Sequence, residues 1–169
     1  RFPESNKRAA VLTKQGRAHL SLGSEMAADQ AFRRAASIGG ESIAGADARL
    51  ELARLQIRRG NYDQAGVLAD SVLVSRTDQY AATAQYLLGE IERARGNLDD
   101  ARLNFMRVRL VYEAFPEWVA RANLALGDIY RSQNDLARAR EAYQLVVRSH
   151  PADTLGVQAR RRLEEIGAR

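Results

Sequence analysis

The chain of 169 residues has no cysteine and only two histidines, three prolines and one tryptophan. The lack of cysteine excludes disulfides, thiolate metal sites and a cysteine nucleophile, although it sets no compartment. No apolar stretch approaches the roughly 20 residues that a membrane-spanning helix needs. No secretory signal is present either. Since the chain begins at Arg1 without a methionine, we expect a processed or excised segment, for which a missing leader is uninformative.

Motifs that carry chemistry are also missing. No glycine-rich run leads into Gly-Lys-Ser/Thr, as a phosphate-binding loop would. His19 and His150 lie far apart in the sequence. His19 falls at a core position, and His150 precedes a proline at a helix end, where a cation offsets the helix dipole. We therefore expect no enzymatic activity, no cofactor and no metal site.

The charge balance is basic but dispersed. The 26 basic and 21 acidic residues give a net charge of +5, and Lys7 and Lys14 are the only lysines. Basic proteins favour nucleic acids and anionic surfaces. The dense cluster, Arg160–Arg162, however, wraps round a helix and cannot present all three side chains to one ligand. Nucleic acid is therefore a disfavoured partner, and an Arg-rich electrostatic binder stays an alternative function.

Four copies of one pattern run through the chain. They begin at Ala9, Ala46, Ala82 and Ala120, at intervals of 37, 36 and 38 residues. A regular period of this length is typical of a solenoid, in which each unit is too small to bury its apolar face alone. Such an architecture favours a binding surface over an active site.

Each copy predicts a helix, a tight turn and a second helix. In the fourth copy, apolar residues from Ala120 to Tyr130 recur at helical spacing, and Asn134-Asp135 is a turn signal. A second helical stripe follows and ends at Pro151, because the residue before a proline is pushed out of the α region. Comparable turns are predicted near 23–24, 60–61 and 96–97. With few strand signals, the fold class is all-α.

Small residues recur in register within the first helices. Glycine in a helix costs about 0.5–1 kcal/mol relative to alanine, so its recurrence at Gly16, Gly89 and Gly127 predicts close contact with the paired helix. An aromatic residue of that second helix, such as Tyr143, is expected to fill the space beside it. Gly45 lies outside this register and is expected to tolerate substitution.

The pattern resembles the tetratricopeptide repeat (TPR). That family has Leu-Gly and then Tyr on the first helix, with Ala and an aromatic on the second and Pro after it. Leu126-Gly127, Tyr130, Ala139, Tyr143 and Pro151 match this closely. The third copy also matches the family pattern well, through Leu88-Gly89 and Phe105. The first and second copies match this pattern at fewer positions. The period is longer than the family's usual 34 residues.

The resemblance, which covers residues 9–151, implies a right-handed α-α superhelix of four helix-turn-helix repeats plus a C-terminal capping helix. We expect one solenoid domain over residues 1–169, with repeats at about 9–45, 46–81, 82–119 and 120–153 and a capping helix at about 155–167. A solenoid needs a polar cap to stay soluble, and residues 155–166 supply a polar outer face.

In TPR proteins the first helices line a concave groove, so the groove is expected to take a peptide or protein segment with apolar and acidic groups. The alternative interpretation is that the same side chains only form contacts between repeats. When the core positions of the first helices are set aside, the residues expected to face the groove are Thr13, Arg17, Leu20, Leu50, Arg54, Ile57, Arg58, Tyr86, Glu90, Arg93, Leu124, Asp128 and Arg131.

The resemblance therefore implies a protein-interaction scaffold or adaptor. Because the units are longer than usual, they are similar to the repeats of bacterial cell-envelope TPR proteins, which favours a bacterial assembly in the periplasm or envelope over the cytoplasm. A homo-oligomerisation module, associating through an open end of the solenoid, is a further alternative.

Overall fold

The structure, a computed structural model, describes residues 3–167 and is all-helical over that range, with nine helices and no strand. The prediction of an all-α fold of four helix-turn-helix units followed by one further helix is confirmed. The helices are α1 (Pro3–Ser21), α2 (Glu25–Gly39), α3 (Ile43–Arg58), α4 (Tyr62–Leu73), α5 (Gln79–Arg95), α6 (Leu98–Val111), α7 (Pro116–Ser132), α8 (Leu136–Ser149) and α9 (Thr154–Gly167).

The turn inside each helix pair has a left-handed residue at the same place. Gly23, Gly60 and Gly96 have φ of 74°, 77° and 84°, and Asn134 has φ of 60°. Left-handed backbone closes a helix when the following N–H bonds to a carbonyl of the last turn. Accordingly, the Asp135 N–H donates to the Tyr130 carbonyl at 2.8 Å. All four predicted turns are therefore present.

The chain forms two compact units, one up to Ile91 and the other from Glu92 onwards. Unit 1 contains α1–α4 and most of α5, and unit 2 contains the end of α5 and α6–α9. The assignment of 1–169 to one solenoid domain stays a prediction, and its first two and last two residues lie outside the described range.

Among the described residues of unit 1, two apolar clusters join neighbouring helices. In the first, Phe32 of α2 packs against Leu52 and Leu55 of α3. In the second, Leu50 of α3 and Val72 of α4 belong to a cluster that extends to α5. Burying a side chain of this size stabilises the fold by about 1.5–3 kcal/mol.

The core of unit 2 joins α7, α8 and α9. Leu124, Tyr143 and Val146 pack with Ala159 and Ile166 of α9. The segment expected to cap the chain is therefore a helix, and it buries its apolar side against α7 and α8.

Two of the recurring glycines lie directly against aromatic rings of the second helices. A Cβ on Gly127 would stand 2.6 Å from Tyr143 Cδ1, and a Cβ on Gly16 would stand 2.7 Å from Phe32 Cδ1. The packing role predicted for Gly16 and Gly127 is confirmed, and that of Gly89 stays a prediction. The second copy has Ala53 and Ala69 at these two positions, so it replaces the glycine and the ring together.

The expectation that Gly45 tolerates substitution is wrong. A Cβ on Gly45 would stand 2.8 Å from the carbonyl carbon of Gly39 and would collide with the carbonyl oxygen of Gly40. The end of α2 and the start of α3 therefore touch backbone to backbone. Gly156 at the start of α9 lies in the same way against the backbone of His150, but α5 and α7 have no glycine in their first turns, so the repeat register did not reveal the contact.

Candidate partner-binding surface

The first helices of unit 1, α1 and α3, are joined by ion pairs. Arg17 Nη2 donates to Asp47 Oδ1 at 2.6 Å and to Glu51 Oε1 at 2.9 Å, and Arg54 Nη1 donates to the same Glu51 oxygen at 3.1 Å. The Glu51 side chain is only 13% exposed. Two of the arginines expected to meet a partner therefore already neutralise carboxylates of their own chain.

Burial perturbs the titration of these groups. It raises the pKa of Asp47, with Glu51 acting in the same direction and Arg17 opposing it. Burial also lowers the pKa of Arg17, but the hydrogen bond and charge of Glu51, helped by Asp47, outweigh it and leave that pKa raised. Arg17 is therefore a permanent cation in this pair.

Two predicted positions of unit 1 lie inside the fold. Leu50 and Thr13 are each 1% exposed, and the Thr13 hydroxyl donates to the Ala9 carbonyl at 3.0 Å. The expectation that they face a groove is wrong, because Thr13 lies on the buried stripe of α1 with Ala9 and Gly16, and Leu50 belongs to the apolar cluster that α3 shares with α4 and α5. Leu20 is half-buried against the cluster of Phe32 and Leu52.

The remaining positions of unit 1 are accessible on α3 and α5. Ile57 and Tyr86 are half-buried and pack against one apolar cluster. Arg58 is exposed and forms no ion pair with any residue that the structure describes. We name Arg54, Ile57, Arg58, Tyr86 and Glu90 the α3–α5 face.

The predicted positions of unit 2 mostly hold helices together. Leu124 is 8% exposed and belongs to the core, so it is not an exposed anchor as expected. Asp128 Oδ1 accepts from Tyr143 Oη at 2.8 Å and from Arg162 Nε at 2.7 Å. Arg131 pairs with Glu165 of α9 at 2.5 Å. Arg93 is exposed.

A spacing of 34 residues links these ion pairs. Arg17–Glu51 joins α1 to α3, while Asp128–Arg162 and Arg131–Glu165 join α7 to α9. For these residues the structure supports the interpretation as contacts between repeats. Opposite charges 34 residues apart, about one helical turn short of the repeat interval, are the sequence signal for these contacts.

The basic cluster on α9 is also engaged within unit 2. Arg160 donates to the Pro151 carbonyl at 2.8 Å, Arg161 pairs with Glu165 at 3.4 Å, and Arg162 binds Asp128. The three guanidinium groups thus bind three different partners, although the Arg161 side chain stays 82% exposed. Over residues 3–167 no group of three or more metal-ligating side chains occurs, and none of the helices described there has the length and apolar character to cross a bilayer.

A cavity of about 930 Å³ opens at the N-terminal ends of α1 and α3 in unit 1. Asn6, Ser42, Asp47, Arg76 and Tyr80 are among its lining residues. Arg76 is held by Asp78 and lies over the Tyr80 ring, 5.4 Å from its centroid. The cavity therefore combines hydroxyl, amide and charged groups with one aromatic ring.

Comparisons with known proteins agree with this architecture. Residues 80–151 match the family model of the tetratricopeptide repeat, and no curated protein matches the chain in a sequence search. A TPR protein from Parabacteroides merdae is 14% identical with a TM-score of 0.67; the match covers 96% of this chain but 61% of that one. MamA from Desulfovibrio magneticus is 20% identical with a TM-score of 0.64, covering 95% and 90%.

A thermophilic TPR protein from Thermus thermophilus is 18% identical with a TM-score of 0.51, and the match covers 95% of this chain and all of that one. At these identities the solved structures show the fold alone, while the family model identifies the repeats from the sequence. Residues 80–151 therefore belong to the tetratricopeptide repeat family, and the chain has the fold of tetratricopeptide repeat proteins.

Proposed function

We propose that this chain is a protein-interaction scaffold that binds a peptide or protein segment through the α3–α5 face of unit 1. The observation that carries the proposal is that this face keeps apolar and cationic groups accessible. Tyr86 and Ile57 are half-buried, whereas Arg58 is exposed without an ion pair among the described residues. Aromatic and arginine side chains supply much of the energy at protein interfaces.

The charges define the partner chemistry. Arg58 has no counter-ion among the residues that the structure describes. The Arg54 side chain remains 36% exposed although it bonds to Glu51. A partner carboxylate can pair with these guanidinium groups, since charge-assisted hydrogen bonds are among the stronger ones. The favoured partner is therefore a segment with an apolar side chain for Tyr86 and Ile57 and an acidic residue nearby.

The cavity at the ends of the first helices supports a binding site on α3 and α5 of unit 1, because it is lined by residues of these same two helices. Its volume of about 930 Å³ is that of a ligand-sized cleft, large enough for several side chains. Part of its lining comes from α3 and α5, through Asp47 and Tyr80. The proposed scaffold acts within a larger bacterial assembly, and the repeat length favours the cell envelope as its location.

The test uses 12-residue peptides selected on the wild-type chain from a random phage-displayed library. Affinities of the selected peptides would be measured by calorimetry for Tyr86→Ala and Arg58→Ala. Each substitution should weaken binding by roughly 1 kcal/mol or more. For Arg58→Ala the thermal unfolding midpoint should stay within a few degrees, and for Tyr86→Ala binding is measured well below the midpoint of that variant, because Tyr86 also packs against the core. Gln64→Ala on α4 and Arg102→Ala on α6 are the matched changes on second helices.

Peptides that bind both α3–α5 face variants as tightly as wild type would contradict the proposal. Weakening by Gln64→Ala or Arg102→Ala alone would move the site to the second helices. Enrichment of peptides without acidic residues would contradict the charge argument while leaving the apolar one intact.

A further inference from the structure

The second helix of the third repeat, α6, exposes aliphatic side chains on the side away from its buried residues. Phe105 and Val108 are fully buried, whereas Leu103 is 51% exposed and Leu110 and Val111 are each 66% exposed. Single exposed aliphatics are ordinary, whereas a contiguous apolar patch marks an interaction surface. Projected round the helix, Leu103 and Leu110 lie opposite Phe105 and Val108.

The repeat register shows that these aliphatic side chains are not general to the fold. Leu103 and Leu110 stand at two repeat positions that are aliphatic and exposed in the second copy as well. The same two positions are polar in the first and fourth copies, as solvent exposure alone would favour. The residues are Val67 and Val74 in the second copy, Gln30 and Ser37 in the first, and Glu141 and Arg148 in the fourth.

Two arginines accompany the aliphatic side chains. Arg107 and Arg109 are exposed and form no hydrogen bond or ion pair through their side chains with any residue in the described part of the chain. By contrast, Arg102 one turn earlier pairs with Asp99. The last two turns of α6 contain no acidic residue. We name Leu103, Arg107, Arg109, Leu110 and Val111 the α6 patch.

We propose that the α6 patch docks this protein on the surface of an anionic lipid bilayer. Aliphatic side chains on a surface helix enter the boundary between headgroups and acyl chains, while cations beside them bind lipid phosphates. Arginine suits this position because its aliphatic stem lies along apolar surface and its guanidinium reaches outward. The docking is peripheral, since the opposite side of α6 belongs to the core.

Charge complementarity favours a lipid surface over the other occupants. A nucleic acid would use the two arginines, but phosphate binding and base stacking make no use of exposed leucine and valine. A protein partner that buried Leu110 and Val111 would have to supply carboxylates for Arg107 and Arg109. An anionic bilayer offers both environments at once, and projecting side chains need no groove to enter it.

The experiment is co-sedimentation of the whole chain with vesicles of pure phosphatidylcholine and with vesicles containing 30% phosphatidylglycerol. Binding should require the anionic lipid. Arg107→Gln with Arg109→Gln should lower the partition coefficient about tenfold or more, because each arginine contributes about 1 kcal/mol near an anionic surface. Leu110→Gln with Val111→Gln should lower it to a similar degree.

Matched controls come from unit 1. Leu22→Gln removes an aliphatic side chain that is 77% exposed in the α1–α2 turn. Arg8→Gln removes an exposed arginine of α1 without an ion pair among residues 3–167. Both variants should bind anionic vesicles like wild type, and circular dichroism checks that every variant is folded.

Three outcomes would overturn the proposal. The first is equal, or no, sedimentation with the two kinds of vesicle. The second is a loss of binding with the arginine variant but not with the Leu110 and Val111 variant, which indicates a purely electrostatic site; a 20-base-pair DNA duplex would then be the next probe. The third is a loss in the Leu22 and Arg8 controls as large as in the α6 variants.

Discussion

Gly127 of α7 lies against the ring of Tyr143 of α8, so that a Cβ at residue 127 would stand 2.6 Å from Cδ1. The Tyr143 hydroxyl then donates to Asp128, the neighbour of that glycine, at 2.8 Å. Burial and this hydrogen bond raise the pKa of Tyr143 well above its usual range, so the ring stays neutral and a donor. One tyrosine thus fixes the spacing of two helices and orients a carboxylate.

Gly127→Ala should lower the free energy of unfolding by about 1–3 kcal/mol, because the added methyl group overpacks the contact with Tyr143. The measurement is chemical denaturation of the whole chain. Gly66→Ala is the control and should not lower the free energy of unfolding. A Cβ there meets no described atom within 4 Å, and alanine is favoured over glycine in a helix by up to about 1 kcal/mol.

A double-mutant cycle sharpens this test. In a Tyr143→Ala background Gly127→Ala should become neutral or stabilising, because the double variant has the same pair of residues as Ala53 and Ala69 of the second copy. Additive losses from the two substitutions would mean that glycine and ring are not coupled.

Much of the fold was readable from such pairs, because a small residue opposite a ring recurs at a fixed offset and the turns carry Gly or Asn. The binding positions were less readable. Leu50 and Leu124 lie on first helices, which contact their own second helix and the first helix of the neighbouring repeat as well. Helical periodicity identifies the side of a first helix that packs against its own second helix. It does not identify the side that packs against the neighbouring first helix, so that side was predicted to be exposed.

Gly45→Ala should destabilise the protein by about 1–3 kcal/mol although the residue stands outside the repeat register. Its Cβ would collide with backbone atoms of Gly39 and Gly40, and backbone cannot turn aside as a flexible side chain can. The thermal unfolding midpoint measures the effect against Gly66→Ala. Equal midpoints for the two variants would mean that α2 and α3 do not approach closely at this connection.

Asp128→Ala should cost about 1–3 kcal/mol of stability, because it leaves the Tyr143 hydroxyl and the Arg162 guanidinium without their shared acceptor. Glu117→Ala, which removes an exposed pair with Arg121 on the same helix, should cost less than about 1 kcal/mol. Amide hydrogen exchange of α9 should accelerate in the first variant only. Protection of α9 that is unchanged by Asp128→Ala would contradict its attachment through this carboxylate.

Acid should weaken unit 1 through Asp29, whose side chain is 14% exposed. Burial alone would raise the pKa of this carboxyl, but Arg33 and Arg59 more than offset it and hold the pKa below its ordinary value of 3.8. A depressed pKa means that the folded state binds the proton less tightly than the unfolded state. The stabilisation that the Asp29 carboxylate contributes is therefore complete at a pH above the ordinary pKa. It is lost as the pH falls through the pKa of Asp29 in the folded state.

Asp29→Asn should accordingly be less stable than wild type at pH 7, and the difference should shrink as the pH falls below 3.8, the ordinary carboxyl value. The amide retains the geometry of the bond from Gln56 Nε2, 3.1 Å away, but loses the charge that pairs with Arg33 and Arg59. Urea unfolding across the acidic range measures the difference, and Asp70→Asn, an exposed change on α4, is the control. A gap between wild type and Asp29→Asn that stays constant down to pH 2 would show that the loss comes from packing, because protonation removes only the electrostatic part.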